Sequence, residues 1–192
     1  MTIKRGRRGG NAQAVKIVVT GPFAAGKTTL IRTISEITVL STERGISDET
    51  SARKRETTVA MDFGRIGIDS DLVLYLFGTP GQDRFEFMWE VLGEGMLGYV
   101  LVVDGDREES PQEARSILDA FRKMAKVPFV VAVNRADGFG PVHEERLRSV
   151  LELEADVPVL PVDATDKASV KDVLLTLLNH ILDRLERVPV GA

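Results

Sequence analysis

A glycine-rich segment near the start of the chain carries the residue types that bind a nucleotide phosphate. It lies between a β-branched run and a helical pattern and reads Gly21-Pro22-Phe23-Ala24-Ala25-Gly26-Lys27-Thr28. Glycines at both ends let successive backbone N–H groups converge on an anion, and the following helix adds the positive end of its dipole. Lys27 would reach the β- and γ-phosphates, and Thr28 would place its hydroxyl on Mg²⁺. The expected phosphate contacts come from Gly21, Ala24, Ala25, Gly26, Lys27, Thr28 and Thr29. Kinases, ATPases and GTPases all remain compatible with this loop alone.

Two later groups of polar residues predict a pocket for guanine. One apolar run is followed by Asn134-Arg135-Ala136-Asp137, and a later one ends in Asp163-Ala164-Thr165. The Asp137 carboxylate would accept protons from N1–H and the N2 amino group of guanine. Adenine cannot supply that pair, and sites of this kind reject the wrong ligand by about 10⁴-fold. Asn134 would bind N7 and tie this loop to the phosphate loop, and the Ala164 N–H would meet O6. The alternative is that Asn and Asp simply form turns here.

The elements that must position these residues follow a βαβ rhythm. Six apolar runs alternate with helical patterns, and they are Val15–Thr20, Val59–Ile68, Leu72–Phe77, Gly98–Asp104, Pro128–Val133 and Val157–Val162. The three-residue link at 69–71 predicts an antiparallel hairpin at a sheet edge. The other links are long enough for crossover helices, so we expect an α/β domain with a mostly parallel sheet.

The last helix has the clearest apolar stripe. The stripe is expected to pack on the sheet, and it comprises Val170, Val173, Leu174, Leu177, Leu178, Ile181, Leu182 and Leu185. A long polar stretch at 41–57 breaks the pattern, and such a loop in a compact domain is usually functional or mobile.

Composition limits the remaining function classes. The 192 residues suit one domain, and the absence of cysteine excludes disulfides and thiolate chemistry. The formal charge is −4, but residues 1–16 carry five basic and no acidic side chains, so the rest carries −9. An acidic body argues against nucleic acid as the main partner. No apolar run is long enough to span a membrane, which favours a cytoplasmic protein.

We expect a basic flexible tail at 1–14, a nucleotide-binding domain at 15–187 and a short tail at 188–192. The basic tail is the one part expected to touch an anionic membrane, although a solvated tail is the simpler interpretation.

Two further segments resemble the Ras superfamily of small GTPases. These are 75–85, which reads YLFGTPGQDRF, and 57–64, which reads TTVAMDFG. The resemblance covers about residues 15–187 and is greatest to the prokaryotic branch, namely the actinobacterial conservon GTPases and more distantly the MglA group. It implies a P-loop NTPase fold whose six-stranded, mostly parallel sheet has one antiparallel edge strand and about five flanking helices. It also implies GTP or GDP with Mg²⁺ as ligands, and two loops ordered by the γ-phosphate.

The same resemblance implies roles for residues in those two loops. The Thr58 hydroxyl would bind Mg²⁺ and its N–H the γ-phosphate, although Thr57 competes for this role. The Gly81 N–H would also contact the γ-phosphate, and Gln82 would orient the attacking water. The implied protein partners are Roadblock-family proteins and sensor-kinase-like regulators.

Three positions depart from the family pattern. Gly78 stands where most relatives have an aspartate that holds Mg²⁺ through water. Asp104 is a candidate substitute, although bonding to the phosphate-loop backbone is the favoured role for it. Phe23 stands where Ras proteins have glycine, so it either covers the phosphates or packs under the switch loops. Arg135 replaces a lysine, and its aliphatic stem would still lie along the base.

Arg55 precedes Thr58 at the R-x-x-T spacing that Gα subunits use for an arginine supplied in cis. We therefore expect Arg55, with Arg53 as the fallback, to stabilise transition-state charge from within the chain. An exposed charge in a polar loop is the alternative interpretation.

The favoured function is a GTP-hydrolysing molecular switch that is slow without a partner. A non-hydrolysing GTP- or GDP-binding adaptor in a Roadblock-containing complex is the alternative, since Gly78 and Phe23 both depart from the usual machinery. A small-metabolite kinase with a phosphate loop is a third possibility, and Asp137 together with Ala164 argues against it.

Overall fold

The computed structural model describes residues 13–41, 61–68, 71–81 and 86–187. Its strands are β1 (Gln13–Thr20), β2 (Leu40–Ser41), β3 (Asp62–Gly67), β4 (Leu72–Gly78), β5 (Gly98–Asp104), β6 (Phe129–Asn134) and β7 (Val159–Val162). The helices within these ranges are α1 (Lys27–Ile34), α2 (Glu86–Gly93), α3 (Ser110–Met124), α4 (Pro141–Leu151) and α5 (Lys167–Arg187).

The strands form one sheet in the order β2-β3-β4-β1-β5-β6-β7. Strands β4, β1, β5, β6 and β7 are parallel to one another, whereas β3 is antiparallel to β4. The predicted α/β fold is therefore confirmed, with its mostly parallel sheet, antiparallel strand and five helices. The two-residue β2 pairs with the outer side of β3 and adds a seventh, very short strand at that edge.

Helices cover both faces of the sheet, which explains why its central strands are apolar throughout. Every residue of β5 and β6 is buried. The core on one face joins α1 and α5 to β1, and the core on the other face joins α2, α3 and α4 to β5 and β6. Strands covered on both faces have no polar side to present, so they read as continuous Val, Ile and Leu runs.

The hairpin of β3 and β4 fixes a pairing that matters for the site. The predicted antiparallel arrangement is confirmed, and its register places Asp62 opposite Gly78. Gly78 is also level with Val19, near the carboxyl end of β1. The first residue of β3 therefore lies at the edge of the sheet where β1 and β4 end.

The carboxyl ends of the parallel strands meet along that edge. The phosphate loop follows β1, Gly81 follows β4, Asp104 ends β5, Asn134 ends β6 and Asp163 follows β7. Ligands of open α/β sheets bind at this edge. The topology thus brings together the polar groups that are dispersed along the sequence.

The apolar stripe of α5 only partly packs on the sheet. Its first four turns are buried through Val170, Val173, Leu174, Leu177 and Ile181, whereas Leu182 and Leu185 are 55% and 60% exposed. The prediction that the whole stripe is core was wrong for these two leucines. A Cβ on Gly98 would lie 2.9 Å from Ile181 Cδ1, so Ile181 is level with the first residue of β5. The last turns of α5 therefore extend past the strands that the structure describes. In the described part of the chain, no helix is both long and apolar enough to cross a lipid bilayer.

A matched pair of truncations tests this boundary. Leu177→Ala removes a fully buried side chain and should lower the free energy of unfolding by about 2–5 kcal/mol, because it leaves a cavity. Leu182→Ala removes an exposed side chain and should cost less than about 1 kcal/mol. Urea unfolding at equilibrium measures both values. Equal losses in the two variants would contradict the assignment of Leu182 to the solvent side.

Candidate nucleotide-binding site

The phosphate loop curves so tightly that its two glycines have no room for a side chain. Gly21 and Gly26 have φ angles of 142° and 110°. A Cβ would lie 2.1 Å from Val102 O at Gly21, and 2.4 Å from Asn134 Nδ2 at Gly26. Ala24 has a φ of 60°, a left-handed conformation that non-glycine residues rarely adopt. Backbone of this shape turns its N–H groups toward a common centre, which is the geometry that binds anions.

Lys27 begins α1 and points back into this loop. Its Nζ donates to Gly21 O at 2.7 Å and to Pro22 O at 2.6 Å. Burial lowers the pKa of Lys27 to about 8, and the nearby Asp62 carboxylate partly opposes that shift. The first-turn N–H groups of α1, including those of Thr28 and Thr29, have no intrahelical carbonyl partner. One ammonium group and the unpaired amides of a helix start therefore lie in the same loop, and these are the groups that a phosphate would need.

Gly81 lies directly against this loop, and its predicted contact with the γ-phosphate stays a prediction. A Cβ at this position would be 2.6 Å from Phe23 N and 2.7 Å from Lys27 Nζ. Thr79 holds the segment before Gly81 against β1, because its N–H donates to Val19 O at 3.0 Å. The Trp89 indole N–H donates to Pro80 O at 3.1 Å and so ties α2 to the same segment.

A carboxylate from β3 lies beside Gly78, the position where the resemblance implies an aspartate. The Thr28 hydroxyl donates to Asp62 Oδ2. A Cβ on Gly78 would lie 2.8 Å from Ile31 Cδ1, 3.0 Å from Asp62 Cβ and 3.3 Å from Asp62 Oδ2. Asp62 and Ile31 together therefore fill the space that a side chain on Gly78 would need. Sequence analysis missed Asp62, although a signal was present. A hairpin centred on residue 70 pairs position 62 with position 78.

Asp104 does not have either of the roles considered for it. It is 2% exposed and pairs with Arg135, whose Nε and Nη2 donate to its two carboxylate oxygens. It also accepts the Asp106 N–H at 3.1 Å. The hydrogen bond from Arg135 lowers the pKa of Asp104 below its ordinary value. The favoured expectation was a direct bond to the phosphate-loop backbone, but Asp104 reaches that loop only through Arg135.

The charged end of Arg135 makes contacts that the comparison of its aliphatic stem with that of lysine did not predict. Its Nη2 donates to Ala24 O at 2.7 Å while the same group holds Asp104. A planar guanidinium can bridge a carboxylate and a carbonyl, which an ammonium cannot do with the same geometry. Arg135 itself has a left-handed φ of 52°, so its backbone conformation is unusual as well.

Arg107 holds the neighbouring carbonyl of the same loop. Its Nη1 donates to Phe23 O at 3.0 Å, and its Nη2 pairs with Glu113 at 2.9 Å. Two arginines thus hold successive carbonyls on the outer side of the phosphate loop. The Phe23 ring is 60% exposed and does not belong to the core. Both predictions for it stay open, because covering the phosphates involves a ligand and packing under the switch loops involves residues outside the described part of the chain. No motif in the sequence pointed to Arg107.

Asn134 connects the phosphate loop to the loop that follows β7. Its Nδ2 donates to Ala25 O at 3.0 Å, and its Oδ1 accepts the Ala164 N–H at 3.1 Å. The predicted tie to the phosphate loop is thus present. The Ala164 N–H, however, is already engaged, so a guanine O6 would have to share or displace this bond. The Thr33 hydroxyl donates to Ala164 O at 2.6 Å, a contact that sequence analysis did not foresee.

Asp137 lies at an open cavity of about 460 Å³ beside these ties. Asn134, Arg135 and Asp163 line the same cavity. Asp163 accepts the N–H of Thr165 at 2.8 Å and its hydroxyl at 2.6 Å, which lowers the pKa of Asp163. Asp163 and Thr165 therefore shape the loop, while the Asp137 carboxylate is exposed at the cavity.

Several predicted site residues lie outside the described part of the chain. They are Gln82, Thr57, Thr58, Arg53 and Arg55. The aromatic segment after Gln82 is described from α2 onward, where Trp89 is 3% exposed and Phe87 is 56% exposed. Trp89 therefore belongs to the core, whereas Phe87 faces solvent.

Comparisons with known proteins agree with this architecture. The family described as "Conserved hypothetical ATP binding protein" matches residues 19–184. An uncharacterized protein of Methanocaldococcus jannaschii is 31% identical over 123 residues, which cover 64% of this chain and 71% of that protein. ADP-ribosylation factor-like protein 3 of Saccharomyces cerevisiae is 24% identical over 180 residues, which cover 89% of this chain and 85% of the relative. Ras-related protein Rab-27A of Sus scrofa is 27% identical over 149 residues, which cover 68% and 67% of the two chains.

The family match runs from the end of β1 into α5 and so includes the phosphate loop, the Asn134 loop and the Ala164 loop. The chain therefore belongs to the family of conserved hypothetical ATP binding proteins, as a nucleotide-binding distant homologue of the Ras-family small GTPases.

Proposed function

We propose that this protein is a GTP-binding and GTP-hydrolysing molecular switch. The observation that carries the proposal is the position of Asn134, which joins the phosphate loop to the Ala164 loop beside the open cavity of Asp137. A nucleotide whose phosphates lie at Lys27 would extend its base toward that cavity. Lys27 and the phosphate loop on one side of Asn134 suit phosphate binding, and the Asp137 cavity on the other side suits base recognition.

Guanine is the base that suits the cavity, even though the family description names ATP. Its N1–H and N2 amino group can both donate to one carboxylate, and Asp137 is exposed for that purpose. Adenine offers an acceptor at N1 and would leave the carboxylate without a partner, which is costly once water is excluded. The exposed Asp137 carboxylate therefore favours a GTPase over a kinase or an ATPase.

Titration calorimetry with GDP and ADP tests this choice of base. We expect GDP to bind at least about 100-fold more tightly than ADP. Asp137→Asn turns the acceptor into a donor and should exchange GDP preference for preference for xanthosine diphosphate, whose C2 carries an oxygen. Asp172→Asn changes an exposed carboxylate on α5 and serves as the control. Equal affinities for GDP and ADP in the wild-type protein would contradict the preference for guanine and leave only the assignment to a nucleotide-binding protein.

Mg²⁺ fits the oxygen groups that the structure gathers beside Lys27. The Thr28 hydroxyl and the Asp62 carboxylate are hard oxygen donors, and they are in contact with each other. Such groups, with nucleotide phosphates and water, are the usual ligands of this ion. Thr28 would bind the ion directly and Asp62 would hold it directly or through water, with Thr58 as the predicted further ligand. When bound, Mg²⁺ neutralises charge on the β- and γ-phosphates.

A carboxylate exchange between the two strands tests the role of Asp62. Asp62→Asn should raise the Mg²⁺ concentration needed for tight GDP binding by about 10–100-fold, because a group that supports the ion is lost. The double variant D62G/G78D moves the carboxylate to β4 and should recover part of that loss. Glu36→Gln alters a carboxylate at the far end of β3, where it accepts the Gly67 N–H, and should have no effect. A wild-type Mg²⁺ requirement in Asp62→Asn would exclude Asp62 from the metal site.

Hydrolysis would proceed by in-line attack of water on the γ-phosphate. Lys27 and the loop amides stabilise the spread charge, and Gly81 contributes its N–H from the opposite side. Gln82 would orient the water, and Arg55 would add a positive charge in cis. The two arginines that hold the phosphate loop bind its carbonyls, so neither is placed to serve as that charge.

Single-turnover hydrolysis of GTP tests the arginine. With an arginine in cis, a rate on the order of 10⁻² per second is expected, against about 10⁻⁴ without one. Arg55→Ala should therefore slow hydrolysis by about 100-fold while GDP affinity stays unchanged. Arg53→Ala is measured beside it as the fallback. Wild-type rates in both variants would eliminate a cis arginine from this protein.

A GTP- or GDP-binding adaptor that does not hydrolyse its ligand is the second candidate. The exposed Phe87 and Val91 on α2 support a protein-binding role, since they are 56% and 62% exposed close to Gly81 in the chain. Roadblock-family proteins and sensor-kinase-like regulators are the proposed partners, which follows from the resemblance to the prokaryotic branch. The assignment to the prokaryotic branch, these partners and a cytoplasmic location all remain predictions from the sequence.

A further inference from the structure

A second cavity of about 440 Å³ lies at the opposite edge of the sheet from the phosphate loop. It opens between the end of α3, the link into β6, the link into β7 and the last turns of α5. Its polar lining consists of Tyr99, Arg122, Lys126, Glu154, Asp156, His180 and Arg184. Tyr99 precedes Asp104 by five residues on β5, so the backbone positions of these two residues are about 17 Å apart. This cavity is therefore separate from the nucleotide site.

The inner wall of the cavity contains a buried tyrosine whose hydroxyl has no hydrogen-bond partner among the residues that the structure describes. Tyr99 is 1% exposed, and its ring stacks on Phe129 at a centroid distance of 4.9 Å. None of the hydrogen bonds within the described residues involves its hydroxyl. No fully enclosed side-chain polar atom in that same part of the chain lacks a partner, so the hydroxyl must open onto the cavity.

The charges near this hydroxyl keep it a hydrogen-bond donor. Burial raises the pKa of Tyr99 well above its ordinary value, and Arg122 and Glu154 then act on that pKa in opposite directions. Both charged side chains line the cavity, which places the hydroxyl on the cavity side of the ring. A neutral phenol makes its strongest hydrogen bonds to an acceptor that carries negative charge.

The remaining charges of the lining favour an anion. Arg122 is neutralised by Glu154 at 3.2 Å. Lys126 and Arg184 form no ion pair within the described residues, and Asp156 offsets only one of them. His180 adds a ring N–H from α5. The donors come from three separate segments of the chain and surround one space, which an isolated surface lysine does not do.

We propose that this cavity binds a small organic anion. Its carboxylate or phosphate group would accept hydrogen bonds from Tyr99, Lys126 and Arg184. Its apolar part would lie against Val127 and Val157, which also line the cavity. The volume is within the range of pockets that hold small ligands. The site is independent of the nucleotide and does not depend on which base the protein prefers.

The test is an NMR titration of the full-length protein with three probes of similar size: benzoate, phenyl phosphate and neutral benzamide. We expect benzoate or phenyl phosphate to shift the backbone amides of Tyr99, Phe129 and His180, with benzamide at least about tenfold weaker. The tighter of the two anions identifies the headgroup. Tyr99→Phe removes only the unpartnered hydroxyl, so the melting temperature should stay unchanged while affinity for the anion falls about tenfold.

Lys126→Ala should weaken anion binding to a similar extent, whereas Lys123→Ala serves as the control because Lys123 is outside the cavity. Three results would each overturn the proposal: no shift of the cavity amides by either anion, equal affinity for benzamide, or wild-type affinity in Tyr99→Phe. Nucleotide affinity is measured in the same variants and should not change.

Discussion

The nucleotide site depends on one buried side-chain amide, that of Asn134. With 5% of its surface exposed, it bonds the phosphate loop through Ala25 O and the last loop of the site through Ala164 N–H. Three loops that are far apart in sequence therefore share one rigid connection. An amide can make this connection because it has a donor and an acceptor on the same group. A carboxylate would lack the donor and leave Ala25 O without its partner.

The connection through Asn134 restricts which residues can occupy the neighbouring positions. Gly26 must lack a side chain because a Cβ would overlap Nδ2 of Asn134, and Gly21 must lack one because of Val102 O. The two arginines then hold the carbonyls of the curved segment between these glycines. Tight curvature is thus maintained from both sides, by an amide within the protein and by guanidinium groups at the surface. A loop held in this way needs little rearrangement to accept a phosphate, which is what preorganised electrostatic binding requires.

The fold and the placement of the candidate site's loops were predictable because their signals are local. The apolar runs identified the strands longer than two residues in the described part of the chain, and the glycine-rich segment predicted the tight loop after β1. The tie between Asn134 and that loop was predicted from four adjacent residues and their distance from it. Phosphate and base binding by these residues stay predictions. The contacts that could not be predicted are those between side chains on different elements, because they depend on the three-dimensional arrangement of those elements. Arg135 was compared with lysine along its stem, but its role is decided by the position of Asp104 on the neighbouring strand. The exposure of Leu182 likewise depends on where the sheet ends, which helical periodicity does not encode.

The location of Asp62 on β3 has a consequence for how related sequences should be compared. Positions 62 and 78 lie opposite each other on adjacent strands, and the Asp62 carboxylate contacts the Thr28 hydroxyl from that place. An acidic side chain on either strand can therefore start from neighbouring backbone and enter the same region. Column-by-column comparison of position 78 alone would record a lost carboxylate, whereas comparison across the two strands would record a carboxylate that has moved.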